Sequence, residues 1–404
     1  MEDKIIVAAD FGNSKITVAV ARKKEDGGLE LIDFQSVESD KDLINDGKIV
    51  GVKNLANTVT TLVEKIEKAN KIQIGKLHFA AAPHTLRSEI RRVSIDNSAT
   101  DNIENLKENL LETAKEIEIS DTRSAFDAEQ LEITVRSGKA DGNFLVMSSQ
   151  DAVQEDFANL KTILSNKYES KFFVAPLVLA KQLLSSEQKK KGALMIDLGY
   201  GCTSFAVYQN GLPLVCAVIP LGGKHITGDI KKTFNIAQNT AEQLKINPKY
   251  GLAITQTIKI GENIITENEI KSVISARLNE IFGFIFDELE NQNIEDIKEI
   301  VLTGGGSKMN YLTQYLTKLS SIETKIADFN ITISNIEHQN FVSSDNALLF
   351  ALLKNCDEDC RKIKSDGKNN QSIINIKPQQ RQRRQRPDIR GLFNLDIFGE
   401  TPIS

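Results

Sequence analysis

Two apolar strands in this chain each run into an aspartate, a short turn rich in small residues and a second strand: AADFGNSKITVAV around Asp10 and LMIDLGYGCTSFAV around Asp197. Small residues at such a turn let backbone N–H groups approach an anion closely. In the first hairpin Gly12, Asn13 and Ser14 offer amides and a hydroxyl to a phosphate, and Lys15 adds positive charge. In the second, Gly199, Gly201 and Thr203 do the same from the opposite side. Asp10 and Asp197 would then hold a hydrated Mg²⁺ between the turns. Either hairpin alone reads as an ordinary β-turn; the ordered pair predicts a duplicated α/β architecture around one anionic ligand.

With 404 residues the chain has room for two or three packed units. Its 40% hydrophobic and 26% charged composition, without tryptophan, excludes a disordered, collagenous or membrane-spanning chain. No apolar run approaches the roughly 20 residues a bilayer demands, and the opening MEDKIIVAAD turns straight into a strand, so no signal peptide is expected. Cys202, Cys216, Cys356 and Cys360 lack paired CxxC spacing, which suits a reducing compartment. His78, His84, His225 and His338 are scattered and form no metal spacing. Residues 361–404 carry ten Lys/Arg against four Asp/Glu, a net +6 that leaves −11 on the remainder of the net −5 chain. Because the basic run lacks interleaved aromatics and the body is acidic, nucleic acid is not the expected partner.

Strands are expected at 5–9, 15–21 and 29–35, and a helix at 55–69 where Leu55, Val59, Leu62, Val63 and Ile66 recur at three- and four-residue steps. Residues 84–165 turn polar and acid-rich, with a helical stretch near 103–116 and the strand-like LEITV at 131–135, and read as an inserted subdomain. A long amphipathic helix is expected at 268–290, then a strand at 299–302, the triplet Gly304, Gly305 and Gly306, and another helix. The triplet offers a bare backbone surface and a helix N-terminus to a ligand. In NTAEQLK, Glu242 and Lys245 share one helix face, which read alone predicts a solvent-facing ion pair. Beyond residue 353 periodicity ends, and the NNQ and QQRQRRQR runs of 369–386 predict a disordered linker.

Taken together, DFGNSK, DLGYGCTS, TAEQLK and LTGGGSK resemble the two phosphate motifs, the adenosine-contacting helix and the adenosine motif of the actin, Hsp70 and sugar-kinase superfamily. Within it the chain is most similar to FtsA, a family of bacterial actin-like cell-division proteins. INDGKIVGVKNL at 44–55, VIPLGGKHITGDI at 218–230, AEQLK, the KYG ending at Gly251 and SARLNEIF at 275–282 carry that likeness, which spans about residues 4–353.

The resemblance implies an α/β, actin-like (ribonuclease H-like) two-lobed ATPase fold with an FtsA-type insertion and a disordered C-terminal tail. Residues 1–83 and 166–190 would form the first lobe core, 84–165 the insertion, 191–225 and 297–360 the second lobe core, and 226–296 its subdomain. A basic disordered linker would cover 361–386, and 387–404 would be a short membrane-targeting motif or a peptide read by another protein. ATP and Mg²⁺ are the implied cofactors. Asp10 and Asp197 would act at the metal, with Gly12, Asn13, Ser14, Lys15, Gly199, Gly201 and Thr203 around the phosphates. Glu242 and Lys245 would hold the adenosine, and Gly304, Gly305 and Gly306 would wall the base.

Implied partners are the C-terminal peptide of FtsZ, docked near Arg277, further copies of the chain in filaments, other divisome proteins through 84–165, and an anionic membrane surface. That places the protein in the cytoplasm, on the inner face of the cell membrane at the division site. For the membrane, Ile389, Leu392, Phe393 and Ile397 fall on one stripe of a short helix beginning at Pro387.

Three departures from the family pattern stand out: Tyr200, Cys202 and Ser204 in the second phosphate turn, Ala175–Pro176 where relatives place a water-positioning Glu or Gln, and a tail as short as GLFNLDIFG. The first predicts a nucleotide that sits differently or binds more weakly, the second weak hydrolysis, and the third a tail shorter than the amphipathic helix the family carries. A small-molecule kinase or a pilus-assembly ATPase of the same fold shares the motifs; an Hsp70-like chaperone does not fit, because about fifty residues after Leu353 cannot form a peptide-binding domain.

Overall fold

A computed structural model describes residues 3–96, 102–136, 138–246, 257–260, 263–294, 296–309, 311–333 and 336–362. The chain starts as the sequence predicts, with β1 (Lys4–Phe11), β2 (Lys15–Lys23) and β3 (Leu29–Glu38), followed by the miniature hairpin β4 (Ile44–Asn45) and β5 (Lys48–Ile49), helix α1 (Val52–Asn70) and β6 (Lys76–Ala81). The alternation of β1 and β2 is lost because both faces are covered, so they read as near-continuous apolar runs. Leu55, Val59, Leu62, Val63 and Ile66 form the buried stripe of α1 and pack on one face of the sheet.

Residues 87–150 build a separate four-stranded antiparallel sheet from β7 (Arg87–Asp96), β8 (Glu118–Ser120), β9 (Arg123–Arg136) and β10 (Lys139–Gln150), in the order β7-β10-β9-β8. Helix α2 (Ile103–Lys115) covers it through Leu106, Leu110 and Ala114. The strand expected at 131–135 is only the end of β9: its exposed half alternates and is legible, whereas β7 and β10 carry too many polar residues to be seen as strands. Helix α3 (Asp151–Ser165) leaves this sheet and buries Leu160 and Leu164 in the same core as α1.

The chain then adds β11 (Glu169–Val174), completing the first sheet in the order β11-β6-β1-β2-β3 with one further strand named below, and runs through α4 (Ala175–Leu183) and α5 (Ser186–Lys191). The second half repeats the opening with β12 (Ala193–Leu198), β13 (Thr203–Gln209) and β14 (Leu212–Ile219), followed by α6 (Gly223–Phe234), α7 (Gln238–Ile246), the hairpin β15 (Thr257–Ile260) and β16 (Asn263–Thr266), and α8 (Glu267–Asn291). Next come β17 (Glu299–Thr303), α9 (Leu312–Ser320) and β18 (Glu323–Ile326), giving a second sheet β14-β13-β12-β17-β18. The capping box of Thr266 and Glu269 fixes the start of α8, whose Ile270, Ile274, Leu278, Ile281, Ile285 and Leu289 are buried as predicted.

From Ile331 onward the chain returns to the first sheet, although its position in sequence groups it with the second half. Strand β19 (Thr332–Ile333) pairs with β3, and α10 (Ala347–Asn355) buries Leu349, Phe350, Leu352 and Leu353 beside α4. Cys360 closes the seam: its N–H donates to the Ile5 carbonyl at 2.7 Å, and its Sγ accepts from the Val7 N–H at 3.3 Å. The four cysteines are free, and no helix among the described residues is long and apolar enough to cross a membrane. The terminal residues Ile389, Leu392, Phe393 and Ile397, with the linker before them, lie outside the described residues.

Candidate functional site

The two aspartate hairpins are built alike. Asp10 and Asp197 each occupy the penultimate position of a strand, opposite Thr17 and Ser204 on the returning strand. Each turn closes with the same bond, Gly12 N–H to the Lys15 carbonyl and Gly199 N–H to the Cys202 carbonyl, both at 3.0 Å. A Cβ at Gly12 or Gly199 would stand 2.9 or 2.8 Å from that carbonyl oxygen, which is why these positions carry no side chain. The turns also touch each other, since a Cβ on Gly201 would fall 2.5 Å from Asn13 Cγ.

Between them opens a cavity of about 290 Å³ lined by both hairpins, the glycine triplet, Ala175, Glu242, Lys245 and Asp345. It gathers Asp10, Gly12, Asn13, Ser14, Lys15, Asp197, Gly199 and Gly304, Gly305 and Gly306 on a common surface. Two predicted contacts are placed differently. Thr203 is fully buried with its hydroxyl donated to the Leu221 carbonyl at 2.7 Å, and Gly201 packs against Asn13 instead of lining the cavity. Strand alternation turns Ser204 to the cavity in place of Thr203; Ser204 is 2% exposed and its hydroxyl has no partner among the described residues. The Asn13 side chain is also committed, accepting from the Gly47 N–H at 3.1 Å and donating to Cys202 Sγ at 3.7 Å.

Electrostatically the cavity is an acid trap. Burial pushes Asp10 up to about 6, with Lys15 opposing and Asp345 adding to the shift. Burial together with the neighbouring Asp10 charge pushes Asp197 up to about 7. Two desolvated carboxylates, one raised further by the charge of the other, are the electrostatic setting a divalent cation relieves, and the glycine-lined backbone around them fits a phosphate chain.

Glu242 and Lys245 are not the solvent-facing pair that their spacing alone suggests. Lys245 is 5% exposed, with its Nζ 2.8 Å from Glu242, 3.0 Å from Thr227 Oγ1 and 3.2 Å from the Gly223 carbonyl. Burial lowers its pKa while Glu242 counteracts. The pair walls the cavity where α6 and α7 meet, with Tyr200 nearby.

Sequence reading misses Asp345, Asn346 and Lys308. Asp345 Oδ2 accepts from Lys15 Nζ at 2.8 Å and its Oδ1 from Lys308 Nζ at 2.6 Å, while Asn346 Oδ1 accepts from Lys15 at 2.7 Å. Burial works against the charge of Asp345, yet these lysines hold its carboxyl well below the usual range. Arg277 lies elsewhere, on α8, bound to Asp229 at 2.7 and 3.1 Å and to Glu280 one turn on.

The family model of cell division protein FtsA matches residues 194–345. The chain is 24% identical to the cell division protein FtsA of Neisseria meningitidis over 80% of its own length and 84% of that protein's, and similar relatives of the same description come from other bacteria. The fold also matches the PilM–PilN type IV pilus biogenesis complex (TM-score 0.62, 17% identity, 86% of this chain and 97% of that one). It matches MreB5 of Spiroplasma citri bound to ADP with a TM-score of 0.51 and 14% identity, over 86% of this chain and 94% of that one. The motif-level resemblance to FtsA is borne out, and the architecture is the actin-like α/β fold.

Proposed function

We propose that this chain, a relative of the FtsA cell-division proteins, binds Mg·ATP in the cavity between its paired turns and serves as a self-associating scaffold that ties FtsZ to the inner face of the cytoplasmic membrane. One observation carries the nucleotide reading: two turns of like construction, each following an apolar strand with a half-buried aspartate next to its end, face one cavity that the glycine triplet also lines. Asp10 and Asp197 would hold the metal, which when bound neutralises charge on the phosphate oxygens. The Ser14 amide and the bare backbone at Gly12 and Gly199 would line the phosphates, Lys15 would pair with them, and Glu242 and Lys245 would take the adenosine beside Gly304, Gly305 and Gly306. Ala175 occupies the wall where a water-orienting carboxamide or carboxylate would sit, so hydrolysis is slow.

Binding of a fluorescent ATP analogue tests this. Asp10→Ala removes one metal carboxylate. Gly305→Val adds bulk to the cavity wall at a position where a Cβ meets only Asp345 Cβ, at 3.9 Å. Both variants are expected to lose binding, and wild-type affinity in both would refute the site. Turnover of many per second would refute the scaffold reading.

The scaffold reading rests on relatedness to the cell-division proteins. The acidic FtsZ peptide would dock on 226–296, where Arg277 must exchange Asp229 or Glu280 for it. Membrane attachment falls to 387–404. Four apolar side chains there contribute about 1.5–3 kcal/mol each before ordering costs, and Arg381, Arg383, Arg384, Arg386 and Arg390 about 1 each near anionic lipid. One tail thus binds reversibly, and many copies in a polymer bind firmly. Full-length protein is expected to pellet with anionic liposomes at low salt and a chain ending at Lys362 is not; equal pelleting would remove the tail from the anchor.

A further inference from the structure

The short turn before α10 that lines the cavity carries a carboxylate held from two sides. Lys15, at the first phosphate turn, grips one oxygen of Asp345, and Lys308, just past the glycine triplet, grips the other. A lysine on each oxygen is how a phosphate group would be received at the same place.

The carboxylate is fixed and the lysines are not. The Ser344 carbonyl accepts from the Gly304 N–H at 3.1 Å and from Thr303 Oγ1 at 3.2 Å, and Asn346, 2% exposed, donates to the Phe341 carbonyl at 3.0 Å. Backbone on both sides of Asp345 is therefore pinned, whereas Lys15 and Lys308 reach it on flexible four-carbon stems. Asp345 also lines the cavity with Asp10 and Asp197, so three carboxylates face a ligand that is itself anionic.

We propose that Asp345 is a resident anionic competitor: in the free protein its carboxylate occupies the Lys15 and Lys308 ammonium groups, and a polyphosphate binds by displacing it from them. The proposal rests on the nucleotide reading for its natural ligand, but its chemistry requires only a phosphate chain. Binding is then an exchange of anions. The ligand's gain is reduced by what Asp345 loses, and the exchange frees Lys308 from the turn and leaves Lys15 tied to it through Asn346 alone.

Titration calorimetry of the full chain with Mg·ATP and with magnesium tripolyphosphate tests it. Asp345→Asn keeps the shape of the side chain, and Asp345→Ala removes its acceptor altogether; thermal melts establish that each is folded. Removing a unit negative charge a few ångströms from a bound phosphate is expected to tighten both ligands by about tenfold or more at low ionic strength, a gain that salt reduces. Unchanged or weaker binding of both ligands by the two variants would overturn the proposal and make Asp345 a positioning tie for Lys15. If neither wild type nor variants bind ATP while the variants take up tripolyphosphate more tightly than wild type, the nucleotide reading falls and the exchange stands. If wild type binds ATP and the variants bind it no better, the exchange falls and the nucleotide reading stands.

Discussion

Gly304→Val is expected to abolish nucleotide binding and to lower the unfolding free energy by several kcal/mol, the larger cost coming from the backbone. Gly304 follows the strand residue paired with Asp197 and turns the chain at φ +84°, in the region a β-branched residue tolerates least. A Cβ there would lie 2.2 Å from Asp197 Oδ1 and 2.6 Å from the Leu198 carbonyl oxygen, so either the carboxylate or the strand must move. The contrast with Gly305→Val is the control, since that neighbour has open space and should keep its urea midpoint while losing ligand. A Gly304→Val protein that unfolds at the wild-type urea concentration would mean that the triplet does not press on Asp197.

Stability without ligand should fall as pH rises. Asp10 and Asp197 are raised to about 6 and about 7, chiefly by burial, so between the ordinary carboxylate range and neutrality the folded protein holds protons that the unfolded chain has released. Their contribution is complete below about pH 4 and is gone once pH passes their folded values, which predicts a melting midpoint that declines from about pH 4 to about pH 7 by an amount worth a few kcal/mol and levels off above that. Asp345 works in the opposite sense, but because its carboxyl is held low its contribution is lost only at acid pH below that window. Mg²⁺ with nucleotide should restore the midpoint most at the alkaline end, where both carboxylates are charged. A flat or rising profile, or the same decline in an Asp10→Asn, Asp197→Asn double variant, would show that these two groups do not titrate as a buried pair.

Local features of the site are legible in the amino-acid sequence because they are short-range: a turn that brings amides together is written in Gly12 to Lys15 or Gly199 to Cys202. What escapes depends on distance along the chain. Lys15 meets Asp345 across 330 residues, and nothing near Asp345 distinguishes SSDN from a helix start. Burial of Lys245 is equally invisible, since i,i+3 spacing specifies a shared face and not what covers it. The Thr203 assignment fails at one residue of register, because adjacent strand positions face opposite sides and the turn motif does not say which side holds the ligand. In the fold, helices and doubly covered strands are legible from periodicity and apolar runs, whereas β7 and β10 sit unrecognised within the polar inserted stretch.

The stitching around Cys360 has a mechanical consequence. The Cys360 carbonyl accepts from the Gly75 and Lys76 N–H groups at 2.8 and 3.1 Å, its own N–H reaches Ile5, and the Lys362 N–H donates to the Gln73 carbonyl at 2.8 Å. Tension applied to the chain beyond Lys362 is received by these bonds and passes to Ile5, near the start of the strand that carries Asp10 at its far end. A pull on the chain beyond Lys362 is thus shared between the entry to β6 and the start of β1, and the part that β1 receives runs along a central strand of the first sheet toward the ligand cavity.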